Sequence, residues 1–333
     1  MQTVLVTGGA GYVGSGLLRK LLRDGYRVVC VDCLNFGGES IIDIWHEPNF
    51  KFFKADINKS EEIERVLKEY DYEAVIHLAA IVGDPACKRE SELAIKTNWE
   101  SSKRLLDRCI ELGIPRFVFA STCSNYGKMA DANVYVDENS PLSPVSLYAE
   151  LKVKFENYLL NEVEKTESFC PTSLRFSTVY GLSPRMRFDL TVNEFTKEVA
   201  LGKELLIFGE QFWRPYCHVK DFSRAFMTVL TAPKDKVAYQ VFNVGSTKEN
   251  YTKQMIVEEI KRQIPEARIK YVHKEEDPRD YRVNFDKIQK ELGFKVSKTV
   301  PDGIQEVRDI VTSRIIQDPE DQRYYNIPHK RSA

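Results

Sequence analysis

The sequence predicts an α/β protein: a doubly wound parallel sheet with helices on both faces, joined to a smaller mixed α/β lobe. Three observations carry this. The apolar run Val4-Leu5-Val6 passes straight into Thr7-Gly8-Gly9-Ala10-Gly11-Tyr12-Val13-Gly14, which opens a segment with apolar positions at Leu17, Leu18, Leu21 and Leu22, the order strand, glycine turn, helix. Strand-like and helix-like segments then alternate as far as Ala120, which calls for parallel strands joined by right-handed crossovers. Beyond Leu174 the rhythm loosens into mixed elements, so a second lobe of different build is expected.

The glycine turn comes first. Gly8 can take the dihedrals of a tight turn, Gly11 has no side chain to keep a phosphate from the backbone, and Gly14 lets the helix pack closely on the strand. The start of that helix offers unpaired N–H groups and a positive dipole end, a place for an anion. The next strand, Arg27 to Val31, runs into Asp32, at a spacing that suits a carboxylate on a ribose and repels a 2′-phosphate. A Rossmann-type site for NAD rather than NADP follows. A structural glycine turn before an ordinary helix is the alternative.

Strand Phe50 to Ala55, helix Ser60 to Tyr70, strand Ala74 to Leu78, a long helix from about Glu90 to Leu112 and strand Arg116 to Ala120 continue the alternation. Asp56-Ile57 and Leu78-Ala79-Ala80 fall at the carboxyl ends of successive strands, where such sheets bind ligands. Asp56 either bonds an adenine amine or caps the helix near Ser60. Segment 219–244 reads as one helix and one strand that rejoin the sheet. The expected organisation is therefore a cofactor domain of 1–176 plus 219–244, a substrate lobe of 177–218 plus 245–317, and a loosely held polar tail, 318–333.

Composition excludes several classes. A chain of 333 residues can bury a large core, and a net charge of −1 from 48 basic and 49 acidic residues carries no nucleic-acid or membrane signature. An acidic substrate must then be met by a few placed cations. No apolar stretch approaches a membrane span, and the N-terminus opens on a core strand rather than a signal peptide, so a cytoplasmic protein is expected. The seven cysteines form no secreted disulfide pattern. Cys30 and Cys33 read as C-x-x-C but flank Asp32 at a strand end with no second pair at zinc spacing, and the histidines show no ligand spacing, so no metal is expected.

The strand ending at Ala120 runs into Ser121-Thr122-Cys123-Ser124-Asn125-Tyr126-Gly127, and a helix starting near Pro144 or Ser146 carries Tyr148 and Lys152 on one face. A phenol of ordinary pKa ~10 is a poor base at neutral pH, and a nearby ammonium would stabilise its anion. Thr122, at a strand end, could align the same substrate hydroxyl. Taken alone, Tyr and Lys at this spacing are also an ordinary surface pair.

The chain resembles an extended short-chain dehydrogenase/reductase of the nucleotide-sugar epimerase and dehydratase group. The resemblance rests on Thr7 to Gly14, Asp32, Asp56-Ile57, Leu78-Ala79-Ala80, Asn98, the Ser121 to Gly127 turn, Tyr148 with Lys152, Leu174-Arg175, Val179-Tyr180-Gly181, and Arg214-Pro215-Tyr216-Cys217-His218-Val219 with Asp221. It implies Thr122, Tyr148 and Lys152 as the catalytic set, Lys152 also holding the nicotinamide ribose. It implies that Asn98 supports the cofactor site, unless it is a buried helix asparagine bonded to backbone. Arg214 and Arg279 resemble the positions that bind the diphosphate of a nucleotide sugar, with a surface ion pair as the alternative for each. Ser183 to Asp189, including Arg185, would line the sugar, with Asn193 on the same side, and Leu205 to Phe208 resembles the strand beside the base. A homodimer is implied, pairing helices 90–112 and 146–164. Leu105, Leu106, Ile110, Phe155, Leu159 and Leu160 would then either meet the partner or face the sheet.

In the group so resembled, the tyrosine takes the proton of the sugar 4-hydroxyl while C4 is oxidised by NAD. A 4-epimerase needs no further acid or base. A 4,6-dehydratase would carry Asp-Glu directly after Thr122, where this chain has Cys123 and Ser124. The expectation is a 4-epimerase. The alternatives are a 4-dehydrogenase, a dehydratase or C5-epimerase using the Cys123 thiol, and, from another class, a non-catalytic NAD-binding sensor or scaffold.

Overall fold

A computed structural model describes residues 1–128, 134–272 and 279–327. Among the described residues twelve strands are formed: β1 (Thr3–Thr7), β2 (Arg27–Asp32), β3 (Phe50–Lys54), β4 (Ala74–His77), β5 (Arg116–Thr122), β6 (Cys170–Phe176), β7 (Thr178–Tyr180), β8 (Glu204–Phe208), β9 (Trp213–His218), β10 (Gln240–Val244), β11 (Asn250–Thr252) and β12 (Arg268–Val272). Seven of them make one parallel sheet in the order β10-β6-β5-β4-β1-β2-β3. The chain starts in the middle, runs out to β3 and returns to β4, so the order reverses between β1 and β4. Such a reversal sets the ligand crevice of these sheets beyond the carboxyl ends of the two strands.

The period-2 alternation along β1 decides which helices cover which face. Val4 and Val6 pack under helices Tyr12–Arg23 and Val219–Thr231, with Leu17, Leu18, Phe226 and Leu230. Leu5 points the other way, into a cluster with Val29, Val75, Phe117, Phe119, Leu105, Leu106, Phe155, Leu159 and Leu160. Five of the six residues considered for a dimer seam are thus buried against the sheet, and Ile110 packs on the same cluster. A fully buried Phe155 contributes about 2–3 kcal/mol there by leaving water, which outweighs any gain from a surface position.

The long helix expected over 90–112 is segmented. Helices Asp84–Arg89 and Ser91–Ile95 lead into a π-helical turn, Lys96–Ser101, and then helix Ser102–Glu111. Segment 219–244 supplies a helix, a short helical turn (Lys234–Val237) and β10, which pairs with β6 at the edge of the large sheet.

The remaining strands lie in two small sheets, β11-β9-β7 and the parallel pair β12-β8, with helices Thr191–Ala200, Lys253–Gln263 and Val300–Thr312 around a separate core of Tyr180, Val192, Ile207, Tyr216, Ile256 and Ile304. The expected loose tail is corrected over 318–327. Tyr325 is buried, its hydroxyl 2.9 Å from the fully buried Lys197 Nζ, and the Phe188 and Asn326 amides donate to Tyr324 O and Asp189 Oδ2 at 2.9 and 3.0 Å. Burial of one aromatic ring and pairing of a buried amine explain why this polar stretch is held. The rest of the expected tail, 328–333, lies outside the described residues.

Candidate active site

The crevice begins at the glycine turn. Gly8 sits at φ +71°, and a Cβ on it would come within 2.7 Å of the Ala79 amide nitrogen, so only glycine lets β1 and the end of β4 meet this closely. A Cβ on Gly14 would lie 2.4 Å from Gly8 O, whereas one on Gly11 would press only on Gly8 O, at 3.2 Å. Helix Tyr12–Arg23 starts at Gly11 with no side-chain cap and no acidic residue in its first turn, leaving an open positive end. The Tyr12 side chain turns away from the crevice: it is buried and donates to Gly181 O at 2.5 Å, and Val13 packs on the core beside it. Any ligand contact from Tyr12 is through backbone.

Asp32, at the end of β2, accepts from the Ala10 and Leu34 amides at 3.0 and 2.8 Å, one bond per oxygen. Burial pushes its carboxyl above the usual range, against the pull of those amides and of Arg185. Asp56 caps its own turn, accepting from Asn58 N at 2.9 Å rather than from the helix at Ser60, and Ile57 is buried beside it. Leu78, Ala79 and Ala80 form the half-buried rim beyond β4. The Asn98 amide is spent on Ile81, accepting from its N at 2.8 Å and donating to its O at 2.9 Å, so it fixes the loop after Ala80. His77 was not singled out in the sequence. It is buried between Thr7 Oγ1 (2.7 Å) and Ser102 Oγ (2.9 Å), and burial lowers its pKa to about 3, so it is a neutral strut.

The end of β5 and helix Leu147–Asn157 bring the reactive groups together. Ser146 caps the helix, accepting from Ala149 N at 3.3 Å. One turn in, Lys152 is buried, donates to Ala120 O at 2.8 Å, and lies 4.6 Å from the Phe119 ring centre and 5.9 Å from that of Tyr148. Burial lowers its pKa to about 8, with Cys87 opposing. Burial likewise pushes the Tyr148 phenol up, helped by Cys87 and Asp84 and opposed by Arg187. Thr122 Oγ1 accepts from Ser124 N at 3.1 Å and caps the turn Cys123–Tyr126.

Cys123 does not reach this site. It is buried with Tyr126, Tyr281, Val283 and Phe285, its Sγ 3.2 Å from Arg175 O, and burial pushes its thiol up, so its expected chemical role is corrected to that of a core residue. Cys30 is likewise buried, directly under Gly9. Among the described residues no group of three or more His, Cys, Asp or Glu is arranged to hold a metal.

On the far side of the crevice the Tyr281 N donates to Trp213 O at 3.3 Å and the Trp213 N to Asp280 Oδ1 at 2.9 Å, which sets Arg214 and Arg279 on adjoining strands of chain. The Arg214 guanidinium lies 5.3 Å from the Tyr281 ring centre. Arg279 Nη1 is 2.8 Å from Asp84 Oδ2, an ion pair across the crevice. Asp277 and Pro278 of its motif lie outside the described residues. Two expectations for the sugar side are corrected. Asn193 is fully enclosed, accepting from Gly181 N at 2.9 Å and donating to Arg187 O at 2.8 Å and Tyr12 OH at 3.2 Å, so it is a knot between the lobes. Arg185 lies 4.3 Å from the Phe36 ring centre, close enough for its charge to act on Asp32, and its buried Nε and Nη2 have no hydrogen-bond partner. It faces the β2 side of the crevice.

Arg187, two residues on, pairs with Asp189 at 2.8 and 2.9 Å and its charge reaches Tyr148. Alternation of the two arginines in Arg185-Met186-Arg187 was the available signal. Asp84 had none, because its partner comes from the other lobe.

An open helix start, a cradle at Gly11 bare of side chains, Asp32 at the strand end and orphaned guanidinium donors opposite it fit an extended anionic dinucleotide. Fold and site thus define a dinucleotide-dependent enzyme with a tyrosine–lysine pair at its reactive end. The chain belongs to the NAD dependent epimerase/dehydratase family, whose profile matches residues 4–245, and its cofactor is NAD. It is 28% identical over 316 residues to UDP-glucuronate 4-epimerase of Thermodesulfobacterium geofontis, covering 92% of this chain and 94% of that one. Its fold matches UDP-glucose 4-epimerase of Thermotoga maritima, solved with UDP-glucose, at TM-score 0.82 and 28% identity over 95% of this chain and 100% of that one. It also matches dTDP-glucose 4,6-dehydratase of Bacillus anthracis, solved with NAD, at TM-score 0.82 and 25% identity over 98% and 99%. Among the described residues no helix is long and apolar enough to cross a membrane.

Proposed function

We propose that the protein is a nucleotide-sugar 4-epimerase that works through a transient 4-keto sugar. The observation that carries this reading is the burial of Cys123 against Arg175 O: the turn after Thr122 gives the sugar a hydroxyl, Ser124, but no acid or base. Bound NAD supplies reversible oxidation at C4. Tyr148 takes the proton of the 4-hydroxyl and later returns it. Burial holds its phenol up, so ionisation depends on the positive charges beside it, Lys152 and the oxidised cofactor. Thr122 Oγ1, which already accepts from Ser124 N, turns its own O–H toward the same sugar oxygen.

The turn Gly8 to Gly14 and the amides of Tyr12 and Val13 hold the pyrophosphate, Asp32 the adenosine ribose, and Lys152 the nicotinamide ribose. Arg185 joins the cofactor side with its two orphaned donors. Asp56, Ile57, Leu78, Ala79 and Ala80 line the crevice, and Asn98 acts through Ile81. Arg214 and Arg279 meet the diphosphate. Homodimerisation belongs to the same reading and would use the outer face of helices 91–111 and 147–162, where Leu93 and Ile95 are exposed.

The test is incubation with UDP-, dTDP-, GDP- and CDP-linked hexoses in deuterated water, read by NMR. A 4-epimer with protium kept at C4 and C5 and no accumulation of NADH is expected. Deuterium at C5, loss of water, or a ketone formed with stoichiometric NADH overturns the reading in favour of C5 chemistry, dehydration or a 4-dehydrogenase.

A further inference from the structure

The loop after β4 ties the two lobes together through Asp84. Gly83 sits at φ +91°, with nothing but Pro85 Cδ near the position of a Cβ, and this left-handed residue turns the chain so that Asp84 opens the next helix over the site. Asp84 Oδ1 accepts from Ser146 Oγ at 2.7 Å, and Asp84 Oδ2 meets Arg279 Nη1 at 2.8 Å. Ser146 caps the helix of Tyr148 and Lys152, and Arg279 is a diphosphate-binding candidate. One carboxylate therefore links the cap of the Tyr148–Lys152 helix to the diphosphate-binding candidate. Its charge also reaches the Tyr148 phenol.

We propose that Asp84 selects the charge of the substrate: the site takes a nucleotide-linked hexose whose sugar is uncharged and rejects the corresponding uronate. This rests on the nucleotide-sugar reading given above. A diphosphate arriving at Arg279 competes with Asp84 for the same guanidinium. The carboxylate is then left beside the sugar with a weakened counter-charge. A second carboxylate on C6 would face it at short range in a partly desolvated crevice, where like charges repel in place of the attraction a uronate site needs. Cations do stand nearby, but Arg187 is paired with Asp189 on both oxygens, and Lys152 is turned to Ala120 O. Arg214 lies over the Tyr281 ring. Specificity by an introduced repulsion of this kind leaves binding of the neutral sugar intact.

The experiment uses the full chain loaded with NAD. Among UDP-, dTDP-, GDP- and CDP-linked hexoses, calorimetry first finds the base that binds. The dissociation constant of that nucleotide-hexose is then compared with that of its C6-oxidised counterpart, in wild type, Asp84→Asn and Asp84→Ser. Wild type should bind the neutral sugar at least about tenfold more tightly than the uronate. Asp84→Asn keeps the acceptor for Ser146 and removes the charge. It should shrink that ratio about tenfold or more, mainly by tightening the uronate, and Asp84→Ser should do the same if the asparagine variant folds poorly. A wild-type preference for the uronate, or a ratio unchanged in both variants, overturns the proposal while leaving the nucleotide-sugar reading in place. Failure of every nucleotide-hexose to bind while NAD still binds overturns both.

Discussion

The two sides of the crevice are built on different principles. The cofactor side is local: eight consecutive residues, Thr7 to Gly14, form the turn, and Asp32 comes at the end of the neighbouring strand. The side proposed for the substrate draws Arg187, Arg214, Asp84 and Arg279 from four separate stretches of chain, tied by one backbone bond between 213 and 281 and by an ion pair between lobes. On the first side the informative feature is the absence of side chains, which any reader of the sequence can see. On the second it is the direction in which side chains point, which is set by packing. Chemistry is thus fixed by a few short motifs, whereas the choice of substrate is spread across the fold.

That contrast predicts effects that separate by side, and the largest is at the reactive end. Tyr148→Phe removes the proton acceptor but keeps the ring in its place between Lys152 and Arg187. It should lower kcat about 10³-fold, with dissociation constants for NAD and for the nucleotide sugar unchanged within about threefold, measured by stopped-flow kinetics and calorimetry. A loss of NAD binding of the same size would break the contrast, because the phenol would then belong to the cofactor cradle.

Lys152 tests the cost of that reactive end. Burial holds its folded-state pKa at about 8, while the unfolded chain keeps the proton to ~10.5. Between these values the unfolded state binds more protons, so stability rises with pH through the window from 8 to ~10.5. Below 8 the buried charge costs about 3 kcal/mol. Lys152→Met removes that cost and leaves Ala120 O without its donor, about 1 kcal/mol in the other direction. The variant should be about 2 kcal/mol more stable than wild type at pH 7 while losing turnover. The difference should close as pH approaches 10, measured by urea denaturation. A variant less stable at pH 7 would mean that the amine is better solvated than its burial suggests.

Sequence reading reached the large sheet because period-2 apolar strands and glycine turns are local signals. The single helix and strand of 219–244 read as rejoining the sheet, and the structure places that strand, β10, at its edge. Spacing on one helix and position at a strand end are local signals too, and the structure sets Tyr148 and Lys152 on helix Leu147–Asn157 and Thr122 at the end of β5. Sequence reading misdirected Arg185 and Asn193, since the loop 181–189 is oriented by non-local bonds, Tyr12 OH to Gly181 O and Asn193 Nδ2 to Arg187 O. Cys123 was ambiguous for the same reason. The residue after a strand end can face either the crevice or the core, and only the packing of Tyr126, Tyr281 and Phe285 around it decides.

The smallest predicted effect lies furthest from the chemistry. Residues 324–326 close one side of the loop that carries Arg187: Phe188 N donates to Tyr324 O, Asn326 N donates to Asp189 Oδ2, and the Tyr325 ring is buried beside Lys197. The other side of the loop is pinned to the glycine turn through Tyr12 OH and Ser183, whose hydroxyl donates to Tyr12 O at 2.5 Å. Ending the chain at Arg323 removes only the first set of bonds. Arg187 and Asp189 should then lose their fixed placement, raising KM for the nucleotide sugar about three- to tenfold, with kcat within about twofold and NAD affinity unchanged. Tyr325→Phe keeps the ring and deletes one of the partners of Lys197, which keeps its ion pair with Glu198, so it should cost about 1 kcal/mol of stability without moving KM. If truncation weakens NAD as much as the sugar, the loop is one rigid piece from glycine turn to tail, and the two sides of the crevice are not independent.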